Sequence, residues 1–179
     1  DINLTSLKDY PEIQDLPEES NTFEENALRK ATLVSKKTGK ITMADDSGIS
    51  VDALGGLPGV RSARFAKEGA TDLENNLKLL KELEAVPEEG RGATFICCIA
   101  ISTPDGNTKV LRGECKGVIL REPKGKRGFG YDPIFFHPPS GKTFAQMKPH
   151  EKNLVSHRGI ALKKLKDILP AFILNRSNT

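Results

Sequence analysis

The sequence predicts an α/β protein with a mixed sheet, because segments of helical periodicity alternate with short apolar, β-branched segments. Capping-box patterns at Thr22 and Thr71 each precede apolar residues at helical spacing. The apolar segment 93–102 is followed by a turn sequence and a second extended segment, as is typical of a hairpin. With 37% hydrophobic and 28% charged residues, residues 1–179 are expected to form a single globular domain.

The first helix is predicted at about 22–38, from its capping box to the glycine that follows it. The apolar run 41–44 is then expected to be a buried strand that ends at the carboxylates of Asp45 and Asp46. Residues 49–54 are expected to continue as extended chain.

A second helix is predicted from Thr71 to a point before Pro87, with one stripe of leucines as its buried face. The leucines of this stripe are Leu73, Leu77, Leu80 and Leu83.

The second half of the chain is predicted to contain a long antiparallel hairpin and a final helix. The segment 93–102 pairs with 108–112 and its extension 116–121, and 134–136 forms another strand. The final helix is predicted at about 151–168. The residues expected on its inner face are Leu154, Ala161, Leu165 and Ile168.

Composition argues against a membrane protein and against a disulfide framework. The longest apolar run, 95–101, is far shorter than the ~20 residues of a membrane-spanning helix, and the first residues lack a signal-peptide pattern. We therefore expect a cytoplasmic protein without a membrane anchor. Cys97 and Cys98 are predicted to be buried core thiols, and the isolated Cys115 offers no thiolate metal site.

The net charge of +3 hides an uneven distribution. Residues 1–120 contain 15 Lys and Arg against 20 Asp and Glu, whereas residues 121–166 contain 11 against 3. This asymmetry suggests a metal at one wall of a site and an anion at the other, although an ordinary solvated basic face also explains a basic segment.

The pair Asp45 and Asp46 is the first candidate for chemistry. Because successive side chains of a strand point to opposite faces, only one of the two aspartates is expected to face a cleft. Several glutamates lie just before and within the first turn of the helix that leads into this strand, and an acidic cluster of this kind suits Mg²⁺. An acidic turn is the alternative interpretation. The glutamates are Glu18, Glu19, Glu24 and Glu25.

Two further segments are candidates for ligand binding. In 128–133, two aromatic residues alternate with glycines beside basic residues, which would suit base stacking, although an ordinary glycine-rich loop with core aromatics fits as well. At the start of the last helix, Lys152 and His157 are expected to be surface neighbours near a helix N-terminus, which attracts anions.

Taken together and in this order, five motifs resemble the inosine triphosphate pyrophosphatase family, whose members remove non-standard purine nucleoside triphosphates such as ITP, dITP and XTP. The motifs are spread over most of the chain. They lie at residues 22–31, 44–48, 54–65, 128–135 and 151–158.

The resemblance implies roles for particular residues. Asp46 is implied as the general base and, with Glu18, as a ligand of Mg²⁺, with Glu19 as the alternative to Glu18. The remaining residues implied at the site bind the substrate nucleotide. They are Ser47, Phe129, Gly130, Tyr131, Asp132, Lys152, His157 and Arg158.

The resemblance also implies an elongated mixed sheet flanked by helices, with the nucleotide in a central cleft between two lobes, and a homodimer. Family members open with a strand and a phosphate loop of the form Thr/Ser-x-Asn-x-x-Lys, which nothing in residues 1–15 matches. We therefore expect the native N-terminal strand and phosphate loop to be missing from this chain.

Two other functions are considered. One is a hydrolase of the same fold that acts on other nucleotides, such as modified pyrimidine or standard triphosphates. The other is a non-catalytic basic nucleic-acid-binding protein, which explains the basic segment but not the acidic residues around Asp46. The predicted partner is a small purine nucleoside triphosphate rather than nucleic acid or a membrane.

Overall fold

The computed structural model describes residues 3–13, 16 and 20–174. Within these residues the chain forms a six-stranded sheet and four helices. The strands are β1 (Thr42–Val51), β2 (Pro58–Gly59), β3 (Gly92–Ser102), β4 (Thr108–Ile119), β5 (Phe135–His137) and β6 (Lys142–Thr143). The helices are α1 (Phe23–Thr38), α2 (Asp72–Glu82), α3 (Pro149–Val155) and α4 (His157–Leu174). The strand order is β2-β1-β3-β4-β5-β6.

The predicted α/β class is confirmed, but the direction of the strands differs from the expected mixed sheet. Every strand pair in the described residues is antiparallel. A parallel pair needs a strand on each side of a crossover helix. In the part of the chain that the structure describes, α1 comes before the first strand, and β3 and β4 form the predicted hairpin. Helix α2 lies between β2 and β3, but β3 pairs with β1 in the antiparallel direction.

Strand β1 is longer than predicted. Instead of ending at Asp45 and Asp46, it pairs with β3 along its whole length to Val51. The two aspartates therefore lie inside a strand, so their side chains point to opposite faces of the sheet. The segment predicted as extended chain at 49–54 finishes this strand and then turns at Asp52–Leu54.

The predicted leucine stripe of α2 is wrong for Leu73 and Leu77 and confirmed for Leu83, which is buried. Leu73 is 64% exposed and Leu77 is 57% exposed, whereas Leu80 is only partly buried. Two asparagines take the place of the missing leucines on the buried face because their amide groups have hydrogen-bond partners in neighbouring loops. The buried residues of this face are Asn75, Asn76, Leu79 and Leu83.

The final helix predicted at 151–168 is two helices, α3 and α4, separated at Ser156. The Ser156 backbone is extended, and its hydroxyl accepts a hydrogen bond from the Gly159 N–H at 3.1 Å, which caps the start of α4. Because of this break Leu154 is 81% exposed rather than on the inner face. Ala161 and Leu165 are buried as predicted, and Ile168 packs against them.

Helices α1 and α4 cover opposite faces of the sheet. Apolar residues of α1 pack against Cys98 and its neighbours on one face, whereas α4 packs against Cys97 and its neighbours on the other. Gly113 of β4 lets α4 approach closely, since a Cβ there would collide with the backbone of His157. All three cysteines are buried free thiols. None of the described helices has the length and apolar character needed to cross a membrane.

Candidate functional site

A cleft of about 170 Å³ brings together all the residues predicted to bind the substrate. It lies between β1, the start of α2, the loop 128–132 and the α3–α4 break. Eight of its lining residues are the predicted ones: Ser47, Phe129, Gly130, Tyr131, Asp132, Lys152, His157 and Arg158. The others are Gly48, Ser62, Ala63, Asp72, Asn75 and Phe95.

Asp46 lies beside this cleft rather than in its lining. Its carboxylate faces α1, where Oδ1 is 3.0 Å from Nζ of Lys30 and Oδ2 accepts a hydrogen bond from Nδ2 of Asn26 at 3.2 Å. The sequence analysis missed Asn26 and Lys30. Their signal is present in the sequence, because two polar residues four apart occupy the otherwise apolar, buried face of α1.

Asp45 points to the opposite face of β1, as strand geometry predicts. Its Oδ2 accepts hydrogen bonds from Nη2 of Arg158 at 2.7 Å and from the Ser47 hydroxyl at 3.1 Å. Burial raises the pKa of Asp45, but the Arg158 guanidinium and the Ser47 hydroxyl outweigh this effect and hold the pKa below its usual range. Asp45 thereby holds Arg158 at the rim of the cleft.

The edge of β1 connects the cleft to both aspartates. Strand β2 pairs only with Ile49 and Ser50, so the preceding part of β1 has no strand on this edge within the described residues. Ser47 and Gly48 line the cleft on this edge. Asp46 lies two residues from Gly48 on the same face, which corresponds to about 7 Å along a strand. Asp46 therefore lies close to the cleft along this edge of β1.

The predicted metal ligands are only partly described. Glu18 and Glu19 lie outside the described residues, and the residues that are described contain no cluster of three or more His, Cys, Asp or Glu suited to a metal ion. Mg²⁺ needs only one or two protein carboxylates beside water and substrate oxygens. The Asp46 carboxylate, next to the open edge, is suited to be one of them.

The loop 128–132 presents one aromatic ring to the cleft. Phe129 is 60% exposed, whereas Tyr131 is buried and donates its hydroxyl to the Ser62 carbonyl at 2.8 Å. Burial also raises the pKa of Tyr131. Of the two aromatic residues predicted as stacking surfaces, Phe129 is therefore the accessible one.

Asp132 and Lys152 form a buried ion pair behind this ring. Asp132 is 2% exposed, and its Oδ2 accepts hydrogen bonds from the Phe129 N–H at 3.0 Å and from the Lys152 ammonium. Burial raises the pKa of Asp132, an effect that the Lys152 ammonium only partly offsets. Gly128 is required here, since its φ is +77° and a Cβ would collide with the Asp132 carboxylate.

His157 lines the cleft as a neutral imidazole with one unused nitrogen. Its ring stacks on Phe95 with 4.6 Å between centroids, and its buried Nδ1 has no hydrogen-bond partner among the described residues. Burial, together with the charges of Arg158 and Lys152, lowers the pKa of His157 to about 3. The imidazole can therefore offer a hydrogen bond to a ligand without carrying charge at neutral pH.

Comparisons with known proteins agree on one family. A sequence profile of the Ham1 family matches residues 1–168. The dITP/XTP pyrophosphatase of Desulforamulus reducens is 50% identical over 166 residues, covering 93% of this chain and 83% of the relative. The dITP/XTP pyrophosphatase of Geobacter sulfurreducens is 52% identical over 168 residues, covering 94% of this chain and 84% of the relative. The structure of the Staphylococcus aureus Ham1 protein superposes with a TM-score of 0.87 at 41% identity, covering 92% of this chain and 85% of that one. The structure of a Ham1 protein from Coxiella burnetii superposes with a TM-score of 0.85 at 44% identity, covering 89% of this chain and 82% of that one.

Proposed function

This chain belongs to the Ham1 family, and from that membership and the geometry of the cleft we propose that it is a nucleoside triphosphate pyrophosphatase. Its substrates are the non-standard purine nucleotides ITP, dITP and XTP, and its products are the monophosphate and pyrophosphate. The observation that carries the proposal is the convergence of an exposed aromatic ring, two cations and an uncharged imidazole in one cleft that opens toward a carboxylate.

The base of the nucleotide stacks on Phe129 and is selected by hydrogen bonds to its O6. The donors are the His157 imidazole and the Arg158 guanidinium, which converge on the same cleft. The backbone N–H groups of Phe129, Gly130 and Asp132 already donate to partners within the protein. Adenine carries an amine at this position, so it would leave the His157 and Arg158 donors unpaired. A site built to hydrogen-bond a substrate group rejects analogues without that group far more strongly than an apolar pocket does.

The triphosphate extends from the cleft along the open edge of β1. Lys152, whose Nζ lies 4.7 Å from the centroid of the Phe129 ring, supplies positive charge near the base and the first phosphate. The Ser47 hydroxyl is placed on the same edge. Because phosphoryl-type reactions need little covalent help from protein, positioning and charge supply most of the rate.

Asp46 is the general base for the attacking water. It takes one proton as the water oxygen bonds to phosphorus, the anhydride bond between the α and β phosphates breaks, and pyrophosphate leaves with the bonding electrons. The Lys30 ammonium and the Asn26 amide each contact one oxygen of the Asp46 carboxylate and fix its orientation.

The cofactor is a divalent cation, and we propose Mg²⁺. Asp46 and Glu18 would hold it, with Glu19 as the alternative to Glu18. When bound, such an ion neutralises charge on the phosphate oxygens. Asp46 remains the group that receives the proton of the water, and Lys30 and Asn26 hold its carboxylate in place.

A substrate panel tests the function. We expect pyrophosphate release from ITP, dITP and XTP with kcat/KM at least ~100-fold above that for ATP, because adenine leaves the O6 donors unpaired. EDTA should abolish the release. Comparable turnover of dUTP or ATP would instead indicate another hydrolase of this fold. Absence of any turnover, with DNA binding that falls steeply as salt rises, would indicate a nucleic-acid-binding protein.

The protein is further proposed to be a cytoplasmic homodimer. Leu73 and Leu77 of α2 are exposed side by side with one turn between them, and contact with a second copy would remove this apolar surface from water. Light scattering should give twice the 19.5 kDa mass of one chain. A concentration-independent mass of one chain would contradict the dimer.

A further inference from the structure

Two side chains of α2 hold the backbone of Gly130, one at its N–H and one at its carbonyl. Its N–H donates to Oδ2 of Asp72 at 2.6 Å, and its carbonyl accepts from Nδ2 of Asn76 at 2.9 Å. Asp72 and Asn76 are four residues apart, so their side chains lie on the same face of the helix. One helical face thus satisfies both hydrogen-bonding groups of a single residue in the ligand-binding loop.

The same helix also holds the opposite wall of the cleft. Asn75 donates from Nδ2 to the Ala63 carbonyl at 3.1 Å and accepts at Oδ1 from the Ala66 N–H at 2.8 Å. Asn75 is 3% exposed and Asn76 is 6% exposed. Burying an amide side chain is costly unless it is hydrogen-bonded, and these contacts satisfy both amide atoms of Asn75. Asn76 donates to Gly130, whereas its buried Oδ1 has no hydrogen-bond partner among the described residues.

Packing alone does not hold the tip of the loop. Phe129 is largely exposed, and the position of a Cβ on Gly130 has no atom within 4 Å. The Phe129 N–H bonds to Asp132, which is a contact within the loop itself. The hydrogen bonds from α2 are therefore the contacts that fix the Gly130 peptide relative to the rest of the cleft.

We infer that Asp72 and Asn76 are positioning residues for the base-binding loop, acting through Gly130 on the Phe129 ring beside it. The inference rests on the proposed function. A loop that is already ordered gives up less conformational entropy when it binds a ligand, so loss of these contacts should weaken substrate binding more than it slows chemistry.

Asp72 variants separate positioning from helix stability. Asp72→Ala removes the acceptor and should raise KM for ITP about tenfold, the size expected for one hydrogen bond to a charged group, with kcat changed less than about twofold. Asp72→Asn keeps an acceptor oxygen but removes the negative charge that favours a helix N-terminus. Asp72→Asn should therefore have a KM close to that of the wild type if the hydrogen bond to Gly130 is what counts. If only the charge at the N-terminus of α2 counts, its KM should rise as much as that of Asp72→Ala.

Asn76→Ala should raise KM in the same way, and Lys81→Ala, a change at an exposed residue of α2, is the matched control. Calorimetric titration with IMP gives a binding constant that does not depend on turnover. An unchanged KM in Asp72→Ala, or an equal rise in Lys81→Ala or Asp72→Asn, would overturn the positioning role while leaving the function intact. If the wild-type protein does not hydrolyse ITP, the proposed function is wrong, and the positioning role that rests on it is wrong as well. If Asn76→Ala does not fold, the Asp72 variants decide.

Discussion

Replacing Asp46 by Asn is expected to lower kcat for ITP hydrolysis by about 10²–10⁴-fold, the usual contribution of a general base. Asparagine has the same shape and keeps one oxygen that can accept from Lys30, but its NH2 cannot accept from Asn26 and it cannot take a proton from water. The change should be measured as steady-state pyrophosphate release at saturating ITP. The melting temperature, recorded in parallel, should show that the variant is folded.

The neighbouring Asp45 provides a control with the same chemical change. Asp45 lies on the other face of β1 and binds Arg158 rather than Lys30. Asp45→Asn should therefore raise KM for ITP, because Arg158 is less well placed for the base, and should leave kcat much closer to that of the wild type. Equal losses of kcat in the two variants would contradict the assignment of Asp46 as the base.

The sequence predicted those parts of the fold and site that depend on local signals. The N-cap at Thr22, whose hydroxyl accepts from the Glu25 N–H, and the left-handed glycine at Gly39 bound α1 within one residue of the prediction. The turn at 104–107 joins β3 and β4 where expected. The eight residues predicted to bind the substrate came from family motifs instead, and the structure brings them to one cleft because the strands that separate them in sequence are neighbours in the sheet.

Features that depend on tertiary contacts were not predictable in this way. Periodicity marked Leu73 and Leu77 as buried, but the asparagines of α2 face inward because loops distant in sequence bind their amides. Lys30 had a local signal as a polar residue on the buried face of α1, but its pairing with Asp46, 16 residues later, is a tertiary contact that no local pattern predicts. The break at Ser156 was hidden as well, because α3 and α4 share one helical periodicity on either side of an extended residue.

Replacing Lys152 by Met is expected to destabilise the fold and to weaken substrate binding at once. Removing one partner of a buried ion pair typically costs about 3–5 kcal/mol because the other charge stays buried. Asp132 is that other charge and is almost fully buried. Urea denaturation should show a lower free energy of unfolding, and KM for ITP should rise because the cation near the substrate is lost.

The double variant Lys152→Met with Asp132→Asn separates these two effects. It removes the buried charge and keeps an acceptor for the Phe129 N–H, so most of the lost stability should return while KM stays high. Full recovery of KM would show that Lys152 serves only the ion pair and does not bind substrate. No recovery of stability would show that the unpaired Asp132 charge is not the cause of the loss.

The pH dependence of the unfolding free energy of Lys152→Met is a third test of whether the unpaired Asp132 charge causes the loss of stability. Burial already raises the pKa of Asp132, and loss of the Lys152 ammonium removes the charge that opposes this rise. A group whose pKa is higher in the folded state binds more protons there, so the variant should gain stability as the pH falls through the raised pKa. The difference in unfolding free energy between wild type and Lys152→Met should thus be smaller at pH 5 than at pH 8, whereas the double variant should lack this dependence. A difference that is constant over this pH range would mean that Asp132 does not take up a proton when its partner is removed.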